Sequence, residues 1–278
     1  MNGAPGKGGA ISLRHVGKIY DPGGNDVVAV EDWNLEVAAG EFLVVVGPSG
    51  CGKTTLLNGL AGFDPITSGE IWLDDTLMAS PTKALRPGSD RVVVFQNGAL
   101  FPWKTVLQNV VYGPIVQRRI GREEATRQAR DLLSRVGLSD LENEYPRKLS
   151  SGVQRRVELV RALINDPKVL LLDEPFRALD AMSKSVMHEY MLQLYDFARK
   201  TVFFITHDLD EAIFLADRVV VCTSRPARVK QSLVIALPRP RTYKLMATPE
   251  FLALKERVAE AVHEEAQKAF ALGERELA

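Results

Sequence analysis

The stretch FLVVVGPSGCGKTTLL, residues 42–57, decides which fold this chain is expected to adopt. An uninterrupted apolar run at 42–46 has the character of a buried strand, and it leads into the Gly-rich segment GPSGCGKT at 47–54. A helical pattern follows from about Lys53. A strand, a loop of small residues and a helix in this order favour a phosphate-binding loop. The backbone N–H groups of such a loop can curl round a polyphosphate, and the helix N-terminus adds a partial positive charge.

Two side chains of this loop extend the prediction from phosphate to a metal-bound nucleotide. Lys53 can reach the β- and γ-phosphates as a point charge, and the Thr54 hydroxyl can ligate Mg²⁺. A Gly-rich turn that binds nothing is the alternative, and the strand, the spacing and the helix together disfavour it. The residues expected to surround the phosphates are Gly47, Pro48, Ser49, Gly50, Cys51, Gly52, Lys53, Thr54 and Thr55.

The composition of the 278-residue chain narrows the classes of partner. Lys and Arg total 35, and Asp and Glu also total 35, so a general binder of nucleic acid, which would carry a basic excess, is disfavoured. The N-terminal MNGAPGKGGA has no apolar core for a secretory signal, and runs such as 42–46 and 169–172 are too short to cross a bilayer. With two cysteines, Cys51 and Cys222, we expect a soluble protein of the cytosol.

Short apolar runs alternate with helical patterns along much of the chain, which predicts an α/β fold with a mostly parallel sheet. The segments ISLRHV and WNLEV alternate apolar and polar residues instead, as expected of an antiparallel β edge subdomain. The buried strands expected in the parallel sheet are 42–46, 91–95, 168–172, 201–206 and 218–223.

Two regions depart from this alternation. Between 97 and 165 helical patterns follow one another, which predicts a helical subdomain inserted into a domain that covers 11–237. One helix of the insert carries an apolar stripe of Ala125, Ala129, Leu132, Leu133 and Val136. Residues 238–278 are expected to be an extension with an amphipathic helix, for which docking on its own domain, regulation and dimerisation are open. The apolar side of that helix contains Phe251, Leu254, Val258, Ala261, Val262, Ala269 and Phe270.

The segment KVLLLDEP places two carboxylates at the end of a predicted strand. In parallel sheets the carboxyl ends of the strands are where ligands bind. Asp173 can hold Mg²⁺ directly or through water, and Glu174 can polarise a water for attack on a γ-phosphate. An acidic cap of the next helix is the simpler interpretation of such a pair, and the phosphate-binding loop elsewhere in the chain argues against it.

Three more polar residues follow predicted strands. Gln96 can contact Mg²⁺ or the attacking water without competing for a proton, and His207 can hydrogen-bond a γ-phosphate and help to hold Glu174. Asp180 lies in RALD, shortly after the carboxylate pair. Any one of them would more often be a strand-end cap, and their shared position favours a site. The other histidines, which lack this position, are interpreted as ordinary: His15, His188 and His263.

The segment KLSSGVQRRVELVRAL predicts a helix with a polar start. Its arginines, with Glu158 interleaved, are interpreted as a solvated face. The start, Ser150, Ser151 and Gly152, forms a helix N-terminus that can receive phosphate oxygens. Because the loop at 47–54 already surrounds one nucleotide, this second end makes sense if it serves the nucleotide of a second subunit. The residues expected to form the buried face are Val153, Val157, Val160 and Ile164.

Taken together, GPSGCGKTT, Gln96, LSSGVQRRVELVRAL, LLLDEP, RALD and ITHDLDEA resemble the ATP-binding subunits of ABC transporters over about residues 11 to 235. The resemblance implies a P-loop NTPase core with ATP and Mg²⁺ as cofactors. It also implies an adenine stacked on Tyr20, and a dimer of two copies that sandwiches two ATP molecules. In that dimer Ser150 to Gly152 would contact the opposite γ-phosphate, and Asp180 would lie in the loop that crosses between the subunits.

Finer features are similar to the nitrate/sulfonate/taurine importer group: QNGALFPWKTVLQNV, EPFRALDAM, HDLDEAIFLADRVVV and SRPARV. This resemblance implies a peripheral subunit at the cytoplasmic face of the inner (plasma) membrane. Its partners would be integral permease subunits and, indirectly, a solute-binding protein. Phe101 and Trp103, large apolar residues on either side of a proline, are the expected permease contact, unless they only cap the core of the helical subdomain.

The sequence departs from the family pattern at two positions. Ser151 replaces the first of two glycines after Leu-Ser, and Arg177 replaces the glycine of Phe-Gly-Ala-Leu-Asp. Both positions belong to the expected dimer interface. We therefore expect an ATP-dependent dimer that forms but hydrolyses slowly without its membrane partner, with Arg177 meeting groups across the dimer or turning to solvent.

Two other functions compete with a transport ATPase. A cassette ATPase acting on DNA or ribosomes tends to carry coiled-coil inserts, two cassettes or a basic surface, and this chain carries none of them. A small-molecule kinase with a phosphate-binding loop would have no need of a second phosphate-binding helix end or of RALD. Both are therefore disfavoured.

Overall fold

The computed structural model describes residues 8–21 and 23–271. In chain order the strands are β1 (Ile11–Tyr20), β2 (Val27–Val37), β3 (Phe42–Val46), β4 (Ser68–Leu73), β5 (Thr76–Ala79), β6 (Arg91–Val94), β7 (Val169–Asp173), β8 (Thr201–Ile205), β9 (Arg218–Cys222) and β10 (Val229–Val234). The helices are α1 (Lys53–Ala61), α2 (Val106–Val116), α3 (Arg122–Arg135), α4 (Ser151–Leu163), α5 (Ala181–Ala198), α6 (Leu209–Leu215) and α7 (Pro249–Ala271). Short 3₁₀ turns lie at Ser139–Leu141, Pro146–Lys148 and Tyr243–Ala247.

A six-stranded sheet in the order β10-β9-β3-β8-β7-β6 forms the centre of the molecule. β3 pairs in parallel with β8 on one side and β9 on the other, β7 joins β8 to β6, and only β10 is antiparallel to its neighbour. The mostly parallel α/β fold predicted from the apolar runs is confirmed. Because these strands run in the same direction, the loops that follow β3, β6, β7 and β8 all lie at the carboxyl ends of the strands, on the same side of the sheet.

The central strand β3 explains why its sequence has no polar alternation. All five side chains are buried: Phe42, Val44 and Val46 pack into one hydrophobic core, and Leu43 and Val45 pack into a second core on the other face. Each such side chain contributes about 1.5–3 kcal/mol relative to exposure. The predicted strands 91–95, 201–206 and 218–223 each end one residue earlier, and 168–172 is shifted by one. The last residue of each of the three shortened segments belongs to the loop that follows the strand.

The second core lies under a four-stranded antiparallel sheet in the order β2-β1-β4-β5, which includes the two alternating segments predicted to form an edge. Trp33 on β2 is completely buried there. Helix α1, which follows the Gly-rich loop, packs its buried side chains Leu56, Leu57 and Leu60 into this same core. The antiparallel sheet therefore supports the helix that begins at the predicted phosphate site.

Helices α2, α3 and α4 occupy the region 97–165 and pack on one another. Helix α2 begins with a capping box in which the Thr105 hydroxyl accepts from the Gln108 backbone and the Gln108 side chain accepts from the Thr105 N–H. The apolar stripe predicted for α3 is buried, apart from Leu132, which is half-buried. The 3.6-residue periodicity thus identified the inner face of this helix correctly.

The C-terminal helix α7 docks on the rest of the chain. Phe251, Val258 and Ala261 are buried in the core that also contains Phe42. Phe270 is 87% exposed, so its assignment to the apolar side is wrong. Near that end the helix directs Glu265 inward, where its carboxylate accepts from the Ser224 N–H at 3.1 Å. The backbone just after β9 needs an acceptor there, and a carboxylate supplies it. No helix within the described ranges is long and apolar enough to span a membrane.

Candidate functional site

The Gly-rich loop at 47–54 joins the end of β3 to the start of α1 through a tight turn. Gly50 and Gly52 adopt φ values of 73° and 120°, in the left-handed region that favours glycine. A Cβ on Gly52 would lie 2.4 Å from the carbonyl oxygen of Ala29 on β2, so a larger residue cannot fit at this position. The turn brings the first N–H groups of α1 to the loop, as an anion site requires.

Lys53 is 6% exposed, and its ammonium group lies across this loop. The Nζ atom donates to the carbonyl oxygens of Gly47 at 2.9 Å and Pro48 at 2.7 Å. The cation is thus held by the first residues of the loop while its stem starts on the helix. This geometry fits a lysine that exchanges carbonyl oxygens for phosphate oxygens.

Thr54 and Asp173, two of the three predicted metal ligands, come from different elements and are in contact. The Thr54 hydroxyl donates to Asp173 Oδ1 at 3.3 Å. Asp173 is the last residue of β7 and is 8% exposed. Burial raises the pKa of its carboxyl group, a shift that the Thr54 hydrogen bond opposes and the Glu174 charge adds to. A hydroxyl and one carboxylate fit Mg²⁺, which commonly takes one or two protein oxygens with phosphates and water.

Glu174 stands next to Asp173 in a strained backbone conformation, with φ 43°. Its N–H donates to the Ile205 carbonyl at 2.9 Å, which ties the end of β7 to the end of β8. The carboxylate Oε2 lies 3.1 Å from His207 Nδ1 and 3.5 Å from Arg177 Nη1. The structure therefore brings Glu174 and His207 together, in the arrangement by which His207 was expected to help hold Glu174. It also gives Arg177 a partner in its own chain, which neither sequence-based alternative for this residue included.

Gln96 lies in an irregular segment after β6 that helix α4 holds by its backbone. Arg155 donates to the carbonyl oxygens of Phe95 and Gln96, both at 2.8 Å. Glu158 accepts from the Ala99 N–H at 2.5 Å and pairs with Arg155 at 2.6 Å. Arg155 and Glu158 are 6% and 3% exposed.

The prediction that the arginines of α4 form a solvated face is wrong. Arg155 is buried, Arg161 donates to the Ala99 carbonyl at 2.8 Å, and Arg156 donates to the Val136 carbonyl at 3.0 Å. All three donate to backbone carbonyl groups of residues that lie outside the strands and helices. Opposite charges at the i,i+3 positions 155 and 158 were the one signal in the sequence for a cluster of this kind.

The polar start of α4 lies beside Asp180. Ser150 caps the helix by accepting from the Val153 N–H at 3.4 Å, and Ser151 is exposed. Asp180 caps α5 by accepting from the N–H of Ser183 at 3.0 Å and from its hydroxyl at 2.6 Å. A Cβ on Gly152 would lie 3.9 Å from the Ser183 side chain. Among the described residues no hydrogen bond joins 150–152 to the loop at 47–54.

Tyr20 ends β1 beside the helix that follows the loop. Its hydroxyl donates to Asp64 Oδ2 at 2.7 Å, and its oxygen lies 3.4 Å from the Thr55 hydroxyl oxygen. The Lys18 ammonium lies 4.8 Å from the ring centroid. These contacts fix the orientation of the side chain, and 38% of the residue stays exposed. An exposed aromatic face next to a phosphate site can stack a nucleobase.

Comparison with known proteins agrees with this geometry. Residues 30–177 match the family described as ABC transporter. The chain is 40% identical over 255 residues to the nitrate import ATP-binding protein NrtD of Synechocystis sp., which covers 90% of this chain and 93% of the relative. It is 41% identical over 249 residues to the bicarbonate transport ATP-binding protein CmpD of Synechocystis sp., covering 88% and 86%. A solved dimer of an ATP-binding cassette in a post-hydrolysis state, bound to ADP and Pi, is 30% identical with a TM-score of 0.69 and covers 82% of this chain and 100% of its own.

Proposed function

This chain belongs to the ABC transporter family, and we propose that it is the ATP-hydrolysing subunit that drives an importer of a small anionic solute. One observation carries the importer assignment. The similarity to proteins named for nitrate import and bicarbonate transport extends over almost the whole chain, at 40% and 41% identity. Nitrate and bicarbonate are both small anions, and this common property supports the solute class.

The contacts around the loop support a division of roles for hydrolysis. Lys53 and the N–H groups of 47–54 bind the phosphates, while Thr54, Asp173 and Gln96 hold Mg²⁺ in place. The metal ion would supply charge neutralisation between the phosphates. Glu174 orients and polarises the attacking water, and His207, 3.1 Å from its carboxylate, keeps that carboxylate aimed.

A second copy of the chain would complete each nucleotide site. Ser150, Ser151 and Gly152 form the start of α4, where the first N–H groups of a helix have no partner within the helix and can receive an anion. The similar cassette was solved as a dimer. In a dimer the start of α4 would contact the γ-phosphate bound by the partner, and Asp180, which lies beside it, would be at the same interface.

Ser151 should leave this interface competent. In a Glu174→Gln background with ATP, we expect dimers both with Ser151 and with Ser151→Gly, because the backbone N–H is present in both and serine is accepted at a helix start. In the otherwise unaltered chain, Ser151→Gly should change turnover by less than about tenfold, or ~1.4 kcal/mol of barrier. Sedimentation velocity and phosphate release measure the two effects. A serine form that stays monomeric while the glycine form dimerises would show that Ser151 blocks the interface.

The surface proposed for the membrane partner is a groove between the parallel sheet and the helical region. Its volume is about 960 Å³, and its walls include Phe95, Phe101, Tyr112 and Arg161. Trp103, whose ring centroid lies 5.7 Å from that of Phe101, is 70% exposed at this end of the molecule. An exposed aromatic of this size beside an open groove favours docking of an apolar segment. We assign the groove to a cytoplasmic helix of the permease.

Trp103→Ala should weaken assembly with the permease while the isolated subunit stays folded, because the ring is mostly exposed and contributes little to the core. Co-purification with integral membrane proteins from solubilised membranes measures assembly, and thermal unfolding measures folding. Val234→Ala is the matched control, since Val234 is 71% exposed on β10 at the opposite edge of the sheet. Unfolding of the Trp103 variant would assign the ring to the core instead.

The same co-purification separates the importer from the alternative cassette ATPase. An importer subunit at the cytoplasmic face of the membrane brings down an integral membrane protein and, through it, a solute-binding protein. A DNA- or ribosome-associated ATPase brings down nucleic acid or ribosomal proteins, and that result would overturn the proposal.

A further inference from the structure

We propose that Cys51 and Cys222 form a redox-sensitive pair whose oxidation to a disulfide closes the phosphate loop to nucleotide. The two Sγ atoms lie 3.2 Å apart, and both residues are buried, at 2% and 0% exposure. A disulfide needs about 2.05 Å between the sulfurs, so they have to approach each other by only about 1 Å. The pair is separated by 171 residues along the chain, and the pairing of β9 with β3 brings it together.

The two cysteines have different freedom to move. Cys222 is the last residue of β9, and its neighbour Val221 pairs with Val46, the residue that enters the loop. The Cys222 thiol donates to the Val46 carbonyl at 3.2 Å, and it would lie 2.3 Å from a Cβ placed on Gly47. The Cys222 side chain is therefore held by the sheet and packs against the first residues of the loop. Cys51 lies on the loop, so closing the bond displaces the loop and not the sheet.

The surroundings also divide the chemical roles. The hydrogen bond with Cys222 and the Lys53 ammonium, 3.7 Å from the Cys51 sulfur, lower the pKa of the Cys51 thiol against the effect of burial. The same contact and burial raise the pKa of Cys222. Because the thiolate is the nucleophile, Cys51 reacts first and Cys222 resolves.

Hydrogen peroxide is the oxidant that fits a buried pair, since it is little larger than water. The Cys51 thiolate attacks one peroxide oxygen, the O–O bond breaks, and Cys51 becomes a sulfenic acid while the other oxygen leaves as hydroxide and takes up a proton. The Cys222 sulfur then forms the S–S bond and displaces the sulfenic oxygen as water, with its own thiol proton completing that water. Two thiols and one peroxide give one disulfide and two waters.

Displacement of Cys51 should lower the affinity for nucleotide because the backbone on both sides of Cys51 is conformationally restricted. Gly50 and Gly52 flank it at positive φ, and Gly52 packs against the Ala29 carbonyl without room for a Cβ. A shift of about 1 Å at Cys51 moves the N–H groups that would contact phosphate. We expect ATP affinity to fall by about tenfold or more, which corresponds to the loss of one hydrogen bond to a charged group.

The test treats the full chain, free of nucleotide, with hydrogen peroxide and measures intact mass, migration without reductant, and ATP affinity by equilibrium dialysis. We expect a loss of about 2 Da per chain with no cross-linked dimer, about tenfold weaker ATP binding, and recovery of both with dithiothreitol. Saturating ATP added first should slow the reaction, because Lys53 then contacts phosphate instead of Cys51.

Cys222→Ala is the matched control, since it keeps the whole loop and removes the resolving thiol. It should bind ATP normally when untreated and show no loss of 2 Da, only gain of oxygen, after peroxide. Cys222→Ser, which preserves a donor to the Val46 carbonyl, replaces it if the alanine form is unstable. Retention of both thiols in the wild-type chain would overturn the proposal. So would a disulfide that leaves ATP affinity unchanged, or an equal loss of affinity in the Cys222 variants.

Discussion

Glu174→Gln is expected to bind ATP as tightly as the unaltered chain and to release phosphate roughly 10²–10⁴-fold more slowly, the range for a positioned acid–base group. The amide keeps the size of the carboxylate and removes its charge and basicity. Thr54 and Asp173, which contact each other at 3.3 Å, are untouched by the change, so the metal and phosphate contacts persist. ATP affinity by equilibrium dialysis and phosphate release under saturating ATP measure the two halves of this expectation.

Two comparison variants make the result specific. Lys53→Ala should show the opposite pattern, a loss of affinity, because it removes a charge-assisted contact to phosphate. Glu256→Gln changes an exposed carboxylate on α7 and should alter neither quantity. If Glu174→Gln turned over at the wild-type rate, Glu174 would have no part in the mechanism, and its 3.1 Å contact with His207 would be structural only.

The parts of this site that the sequence predicted share one property. The loop at 47–54, the Asp173–Glu174 pair and His207 all lie at or just after the carboxyl ends of strands, and these ends lie on the same side of a parallel sheet whatever the order of the strands. Strand, turn and helix patterns involve residues that are close together in the chain, so a single sequence is sufficient to recognise them. The mostly parallel fold was predictable for the same reason.

The parts that the sequence did not predict depend on contacts between distant segments. The helical periodicity predicted that Arg155 faces solvent. In the structure the irregular segment at 95–99, about 60 residues earlier in the chain, covers the Arg155 side chain. Arg177 is the exception, because its partner Glu174 is only three residues away and the two meet through the local turn after β7. The pairing of Cys51 with Cys222 depends on β9 lying next to β3, and the order of strands in the sheet was not part of the pattern.

Glu158→Ala is expected to lower the free energy of unfolding by about 3–5 kcal/mol, as found when one partner of a buried ion pair is removed. Burial lowers the pKa of the Arg155 guanidinium and the Glu158 charge opposes that shift, so without Glu158 a buried cation is left uncompensated. The Ala99 N–H also loses its acceptor. Urea unfolding followed by circular dichroism measures the change as a lower midpoint at an unchanged slope.

An exposed pair of the same kind provides the comparison. Glu142 pairs with Arg130 at 2.8 Å on the surface, and Glu142→Ala should lower the urea midpoint much less than Glu158→Ala does. Replacing both buried partners, Arg155→Met with Glu158→Leu, should recover much of the stability lost in Glu158→Ala, since apolar residues of similar volume often substitute for a buried ion pair. That double variant leaves the Phe95 and Gln96 carbonyls without their donor, so its ATPase activity should be lower than that of the unaltered chain although the fold is restored. Equal costs for Glu158→Ala and Glu142→Ala would show that the cluster is not buried in solution. A fully active double variant would show that the cluster stabilises the fold without positioning Gln96.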